Sequence, residues 1–191
     1  ILILGTTMVL ARLVAPYITG VFRRAPSRLD RFLSPVENLI YKLVGVDPQH
    51  SMGWKEYFLS GLLLNVIQMA IAFMILSFQD RLPLNPQGFP GLSWDLSLNT
   101  VVSFGTSTNL QHYNGESTLS YFSQMTAIQF LQFTSAATGI CMSIAMVRGL
   151  ATGSKEMGNL YVDFVRSLTR LLIPLCFAAS LILVWFGVPQ T

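Results

Sequence analysis

The sequence predicts an all-α integral membrane protein: four transmembrane helices, with a re-entrant pore half-helix and filter loop between the second and the third. Three observations lead there. Hydrophobic residues make up 52% of the chain and charged residues 11%, where a soluble domain carries about 25% charged. Four apolar runs are long enough to cross a bilayer at 1.5 Å rise per residue. Between the second and third runs lies a stretch too apolar for an ordinary loop, whose apolar part is too short to cross.

The first span is 1–22, with Arg12 and Pro16 in its second half. Arg12 reads as a long side chain snorkelling to the interface in preference to a functional intramembrane cation. The first residue is not Met, and the apolar run begins at Ile1 without a basic leader or a small-residue cleavage site. That pattern argues against a removable signal peptide and for a fragment or a chain missing its first residues.

Residues 23–56 form a polar connection. Within it Ser34-Pro35-Val36-Glu37 has the form of a helix start, with Ser as cap, Pro in the first turn and Glu reaching back. Leu39, Ile40, Leu43 and Val44 then give one apolar face, and Gly45 before Asp47-Pro48 ends it. A short helix at the membrane surface is expected. Asp47, His50 and Glu56 read as solvated groups rather than as a metal set.

The second span, 57–78, is free of charge and carries Asn65 and Gln68 on one face. These amides either hold helices together, the preferred reading, or line a pathway. Pro83, Pro86, Gly88, Pro90 and Gly91 mark irregular chain after it. The third span, 118–147, contains no charged residue but many Gln, Thr and Ser; Ser135, Gly139 and Ser143 recur every four residues as a small-residue packing stripe. A second polar connection, 148–170, leads to the fourth span, 171–188, entered through Pro174 and closed by Gly187 and Pro189.

Ten of the twelve Lys and Arg residues fall in the connections 23–56 and 148–170, and one, Arg81, lies between 79 and 118. By the positive-inside rule both basic connections are cytoplasmic, so the intervening loop enters from outside. The net charge of +3 therefore reports topology; no aromatic-interleaved basic surface for nucleic acid is present. Cys141 and Cys176 both fall in spans and form no zinc or redox spacing with each other or with His50 and His112.

The central stretch is 93–117. Asp95 to Phe104 as a helix rises about 15 Å, half the hydrocarbon thickness, and is followed by Gly105, Thr106, Ser107, Thr108, Asn109 and Gln111, all uncharged. Polar non-helical backbone at membrane depth is tolerated only when buried in protein or lining a wet cavity. A potassium ion leaving water needs oxygens to replace its hydration shell, and backbone carbonyls of extended loops supply them. Thr106, Ser107, Thr108 and Asn109 are the expected ion-binding residues, with the half-helix turning its negative C-terminal end toward the cation. Gly105 is expected to give the freedom to leave the helix, and Gln111 to orient the loop backbone. Gly115 and Glu116 flank the filter: Glu116 is either an acid at the pore mouth or an ordinary first-turn carboxylate of the third span. Read alone, the Thr-Ser-Thr-Asn run is also compatible with a plain turn between two helices.

Leu98 to Met125, containing Leu-Asn-Thr, Val-Ser-Phe, Thr106, Thr108-Asn109, Gln111, Tyr113, Gly115-Glu116 and Thr-Leu-Ser-Tyr-Phe-Ser-Gln-Met, closely resembles the first pore repeat of the KdpA family. These are the potassium-binding, channel-like subunits of Kdp potassium-transporting P-type ATPases. The similarity extends to Asp30–Pro48, Pro83–Gln87 and Ser135–Ile140. It implies potassium as the transported ion and a multi-pass location in the inner (plasma) membrane lipid bilayer. It also implies assembly with an ATP-hydrolysing KdpB-type subunit and small accessory subunits. The family often has Asn where this chain has Ser107 and Trp where it has Leu110. Its chains carry four pore repeats around one pathway; with one repeat here, three more are expected in a longer polypeptide. No Walker A or Asp-Lys-Thr-Gly motif is present, so ATP chemistry is expected in a partner and no nucleotide in this chain. A passive potassium channel closed by oligomerisation, a non-conducting assembly subunit and a membrane enzyme are the competing readings, the last disfavoured by the lack of a catalytic constellation.

Overall fold

The computed structural model describes residues 2–153 and 156–188. Among them four helices are long and apolar enough to cross a membrane: Leu2–Phe22, Trp54–Ser77, Tyr121–Ala151 and Leu160–Trp185. The chain divides into two compact units, one formed by 1–51 with 161–191 and the other by 52–160.

In the first unit α1 (Leu2–Phe22) keeps most of its apolar side chains exposed, with Val21 and Phe22 buried at its end. The surface helix α2 (Asp30–Val44) starts a full turn before the predicted Ser34 cap. Asp30 accepts the Ser27 amide at 2.8 Å and so stabilises the first turn, while Pro35 is carried inside the helix and Glu37 turns inward. Gly45 ends α2 as expected, at φ 73°. Leu39, Leu43 and Val44 remain exposed, and the buried face is Glu37 and Tyr41. The last long helix, α7, begins at Leu160 rather than Leu171, passes through a π turn at Ser167–Leu172 and continues as Ile173–Trp185. Arg166 and Arg170, expected in a connection, are therefore buried helical residues. Lys155, one of the ten basic residues of the two connections, and Pro189, expected to close the fourth span, lie outside the described residues.

The second unit contains α3 (Trp54–Ser77), α4 (Trp94–Gly105), a single turn α5 (Gly115–Thr118) and the long helix α6. Helix α6 opens as Tyr121–Ser123, passes through a π turn at Gln124–Gln129 and continues as Phe130–Thr152. The expectation of a purely helical chain needs one correction. Met52–Gly53 (β1) and Glu156–Gly158 (β2) pair antiparallel beside the start of α3 and the end of α6. The core joins Ala72 and Leu76 of α3, Val101 and Phe104 of α4, and Ala127, Ile128 and Leu131 of α6. The buried face of the third span runs through Leu131, Thr134, Thr138, Cys141 and Ala145. Of the predicted small-residue stripe only Ser135 is buried; Gly139 and Ser143 are exposed, and the space beside Gly139 is open. The Thr138 hydroxyl donates to Asn65 Oδ1 at 3.4 Å, in keeping with an amide that holds helices together.

Irregular chain between α3 and α4 is fixed by two devices. Gln79, wholly buried, donates to the carbonyls of Pro90 and Thr118 at 2.7 and 2.8 Å and accepts the Ser120 amide at 3.1 Å. Gly91 lies so close to α3 that a Cβ would fall 2.1 Å from the Ser77 carbonyl oxygen, and the next amide, Leu92, donates to Leu76 O at 3.1 Å. Together they aim α4 back against α3.

Candidate functional site

Helix α4 has 12 residues and a length of about 18 Å, close to the predicted half-helix. Ser97, Thr100, Val101, Ser103 and Phe104 are buried, and the Ser97 hydroxyl meets that of Ser77 at 3.2 Å. Ser93 stands at the N-cap position, but its side chain accepts no capping hydrogen bond. Gly105 is the last helical residue. Its glycine is required by close packing: a Cβ would lie 2.6 Å from the Cγ and Sδ of Met69 on α3. The chain leaves the helix further on, at Ser107 and Asn109, whose φ angles are 58° and 55°. The backbone freedom expected at Gly105 is needed instead at Ser107 and Asn109. Asn adopts the left-handed region more readily than most residues and Ser only rarely, so Ser107 is held there by its surroundings.

Those surroundings are hydrogen bonds back to the half-helix. The amide of Thr106 donates to Val102 O at 2.9 Å and that of Ser107 to Phe104 O at 3.2 Å. The amides of Thr108 and Asn109 both donate to Ser103 O, at 2.9 and 3.1 Å. The Leu110 amide donates to the Ser103 hydroxyl at 2.6 Å, and that hydroxyl donates to Leu110 O at 3.0 Å. Every amide from Thr106 to Leu110 is therefore satisfied. The carbonyls of Thr106, Ser107, Thr108 and Asn109 accept no hydrogen bond among the described residues. All four residues are exposed, and the hydroxyls of Thr106 and Thr108 stand 3.1 Å apart at one end of a groove that runs along α4. Such a loop has its donors used and its acceptors available, which suits a cation and not an anion.

The flanking residues separate. Gln111 is exposed and makes no hydrogen bond to the loop backbone; that position is held by Ser103 instead. Asn114 caps only the single turn α5, accepting the Glu116 amide at 3.3 Å. The third span opens later, at Ser120, whose hydroxyl accepts the Ser123 amide at 3.1 Å. Glu116 is consequently an exposed residue of α5, outside the first turn of the span. The Gly115 carbonyl accepts Gln124 Nε2 at 3.1 Å, which ties this turn to α6. Among the described residues no three His, Cys, Asp or Glu side chains converge on a metal position.

The profile of the family described as "Potassium-transporting ATPase A subunit" (KdpA) matches residues 1–191. The chain belongs to the KdpA family. Relatives include the potassium-transporting ATPase potassium-binding subunits of Caldanaerobacter subterraneus subsp. tengcongensis, 47% identical over 96% of this chain and 33% of the relative, and of Gloeobacter violaceus, 46% identical over 97% and 32%. That of Leptospira interrogans is 49% identical over 83% of this chain and 29% of the relative. This KdpA-family chain thus spans about a third of the length of the curated relatives it matches. Within it, Ser103 and Gln79 are the site-shaping residues that sequence reasoning passed over. Ser103 lay inside an apolar helix run, and Gln79 inside a stretch read only as irregular. Neither carries a local signal, because their partners are brought to them by the turn of the chain.

Proposed function

We propose that this chain forms one quarter of the potassium-binding surface of an ATP-driven potassium uptake pump. In this reading α4 enters the membrane from outside as a re-entrant half-helix. The carbonyl oxygens of Thr106, Ser107, Thr108 and Asn109 replace water around a dehydrated potassium ion. The observation that carries it is the one-sided use of the loop backbone, amides bonded inward and carbonyls left available. A closed ring needs equivalent loops, which the remaining pore repeats of a full-length chain would supply. Hydrolysis of ATP belongs to a KdpB-type partner, and the ion leaves the loop toward it, in the plasma membrane. The names of the relatives, potassium-binding subunits of a potassium-transporting ATPase, support the choice of ion.

If main-chain oxygens do the binding, the conformation at Ser107 matters more than its hydroxyl. In the full-length protein assembled with its partner subunits, Ser107→Gly keeps uptake with a half-saturating potassium concentration within about threefold of wild type. Ser107→Val forces a β-branched residue to positive φ, where it is a genuine outlier, and abolishes high-affinity uptake. Loss of uptake in the glycine variant with retention in the valine variant contradicts a carbonyl site.

A further inference from the structure

We infer that Ser103, through its hydroxyl, sets the spacing of the loop's oxygens and so determines how well the loop tells potassium from sodium. The inference rests on the reading of 106–109 as the ion-binding loop, and it adds a positioning residue that does not itself touch the ion.

A serine or threonine hydroxyl in a helix ordinarily turns back to the carbonyl four residues earlier. Thr106, Thr126, Thr134, Thr138, Ser143 and Thr169 all do so here, at 2.6–2.9 Å. Ser103 does the opposite. Its hydroxyl reaches seven residues forward and makes two hydrogen bonds to the main chain of one residue, accepting the Leu110 N–H at 2.6 Å and donating to the Leu110 C=O at 3.0 Å. Its own carbonyl accepts the amides of Thr108 and Asn109. One residue, 8% exposed, therefore anchors both the middle of the loop and its Leu110 end, and holds the left-handed Asn109 by its amide. Without the hydroxyl the Leu110 end is released while the Ser103 carbonyl still anchors the middle. The loop can then widen or contract with the ion it meets. Discrimination between ions of different radius requires oxygens that do not follow the ion inward, so a released loop loses selectivity before it loses binding.

The test uses the full-length chain in its assembled complex. Ser103→Ala removes the hydroxyl at nearly constant volume and leaves a strong helix former, so α4 itself is undisturbed. Half-saturating potassium and sodium inhibition of uptake are measured for wild type, Ser103→Ala, Ser103→Thr and Ser107→Val. The expected result for Ser103→Ala is a rise of about tenfold in half-saturating potassium and a similar fall in the potassium-to-sodium ratio. Maximal rate and complex yield stay within about twofold of wild type. Ser103→Thr, which keeps the hydroxyl, recovers most of the selectivity. A merely structural serine would lower yield and maximal rate without moving the ion ratio. If Ser103→Ala leaves half-saturation and the ratio within twofold while Ser107→Val alters them, the role of Ser103 is overturned and the loop reading stands. If neither substitution alters them, the loop reading itself fails. Should Ser103→Ala not assemble, Ser103→Cys, similar in size but a weak hydrogen-bonding group, is judged by the same two ratios.

Discussion

Arg170 grips Glu37 with two parallel hydrogen bonds, Nε to Oε1 at 2.7 Å and Nη2 to Oε2 at 2.8 Å, both side chains almost wholly buried. Thr169 donates a third hydrogen bond to Oε1 at 2.8 Å, Asp30 takes Arg170 Nη1, and Arg166 Nε lies 3.8 Å from Oε2. The planar fork of arginine matches the two carboxylate oxygens, which a lysine cannot do. This cluster joins α2 to α7 across more than 130 residues of sequence.

Breaking a buried pair by removing one partner leaves a charge without compensation and costs about 3–5 kcal/mol. Glu37→Ala is therefore expected to lower stability by about 3 kcal/mol, reduced from the upper end because Asp30 still accepts from Arg170. Burial pushes the Glu37 carboxyl up, but hydrogen bonds from Arg170 and Thr169 and the charges of Arg170 and Arg166 outweigh it and hold the pKa low. The Asp30 carboxyl is lowered as well, first by the Ser27 amide and then by Arg170. Both groups contribute stability that is complete above the ordinary carboxylate range near pH 4–5 and is lost as pH falls through their lowered folded values. Denaturation of the purified protein from pH 7 to pH 3 checks this: wild type loses stability below about pH 5, and Glu37→Ala shows a shallower fall.

Gly91 and Gly105 are both tight, against different material. At Gly91 the obstacle is the Ser77 carbonyl, which cannot move without shifting α3; at Gly105 it is the flexible Met69 side chain. Gly91→Ala is expected to cost more than about 3 kcal/mol, and Gly105→Ala about 1–3 kcal/mol. Met69→Ala in the Gly105→Ala background should restore part of the loss. A thermal-unfolding double-mutant cycle reads the coupling directly.

Pro174 has no N–H, so the carbonyl of Arg170, four residues earlier, loses its helical partner. The Tyr17 hydroxyl donates to that carbonyl at 2.7 Å. Tyr17→Phe should therefore lower stability by about 1 kcal/mol, and in a Pro174→Ala background, where the helix restores its own hydrogen bond, by clearly less. Equal losses in both backgrounds would show that the hydroxyl's contribution does not depend on the helical partner that Pro174 withholds.

Much of this fold is legible along the sequence because it is written in length and hydropathy. Four helices long and apolar enough to cross a membrane stand near the four apolar runs, the last starting at Leu160 rather than Leu171; a 12-residue helix lies over the short apolar stretch, and Gly45 ends α2 where left-handed backbone was expected. What escaped depends on partners distant in sequence. Arg166 and Arg170 look like topology signals until α2 brings Glu37 beside them. The π turns at Gln124–Gln129 and Ser167–Leu172 have no composition of their own. Gly105 looked like a hinge because its neighbour Met69 was 36 residues away, and Ser103 looked like helix filler because Leu110 had not yet turned back to meet it. The pairing of Met52 and Gly53 with Gly158 and Glu156 is likewise too short for alternation to register.

Locating the ion tests the carbonyl site most directly. In crystals of the full-length protein within its complex, soaked with rubidium or thallium as heavier stand-ins for potassium, anomalous scattering reports the cation's position. A peak is expected in contact with the carbonyl oxygens of residues 106–109, and it disappears in Ser107→Val. A cation peak elsewhere in the complex, with that loop bare at saturating ion, would contradict that site.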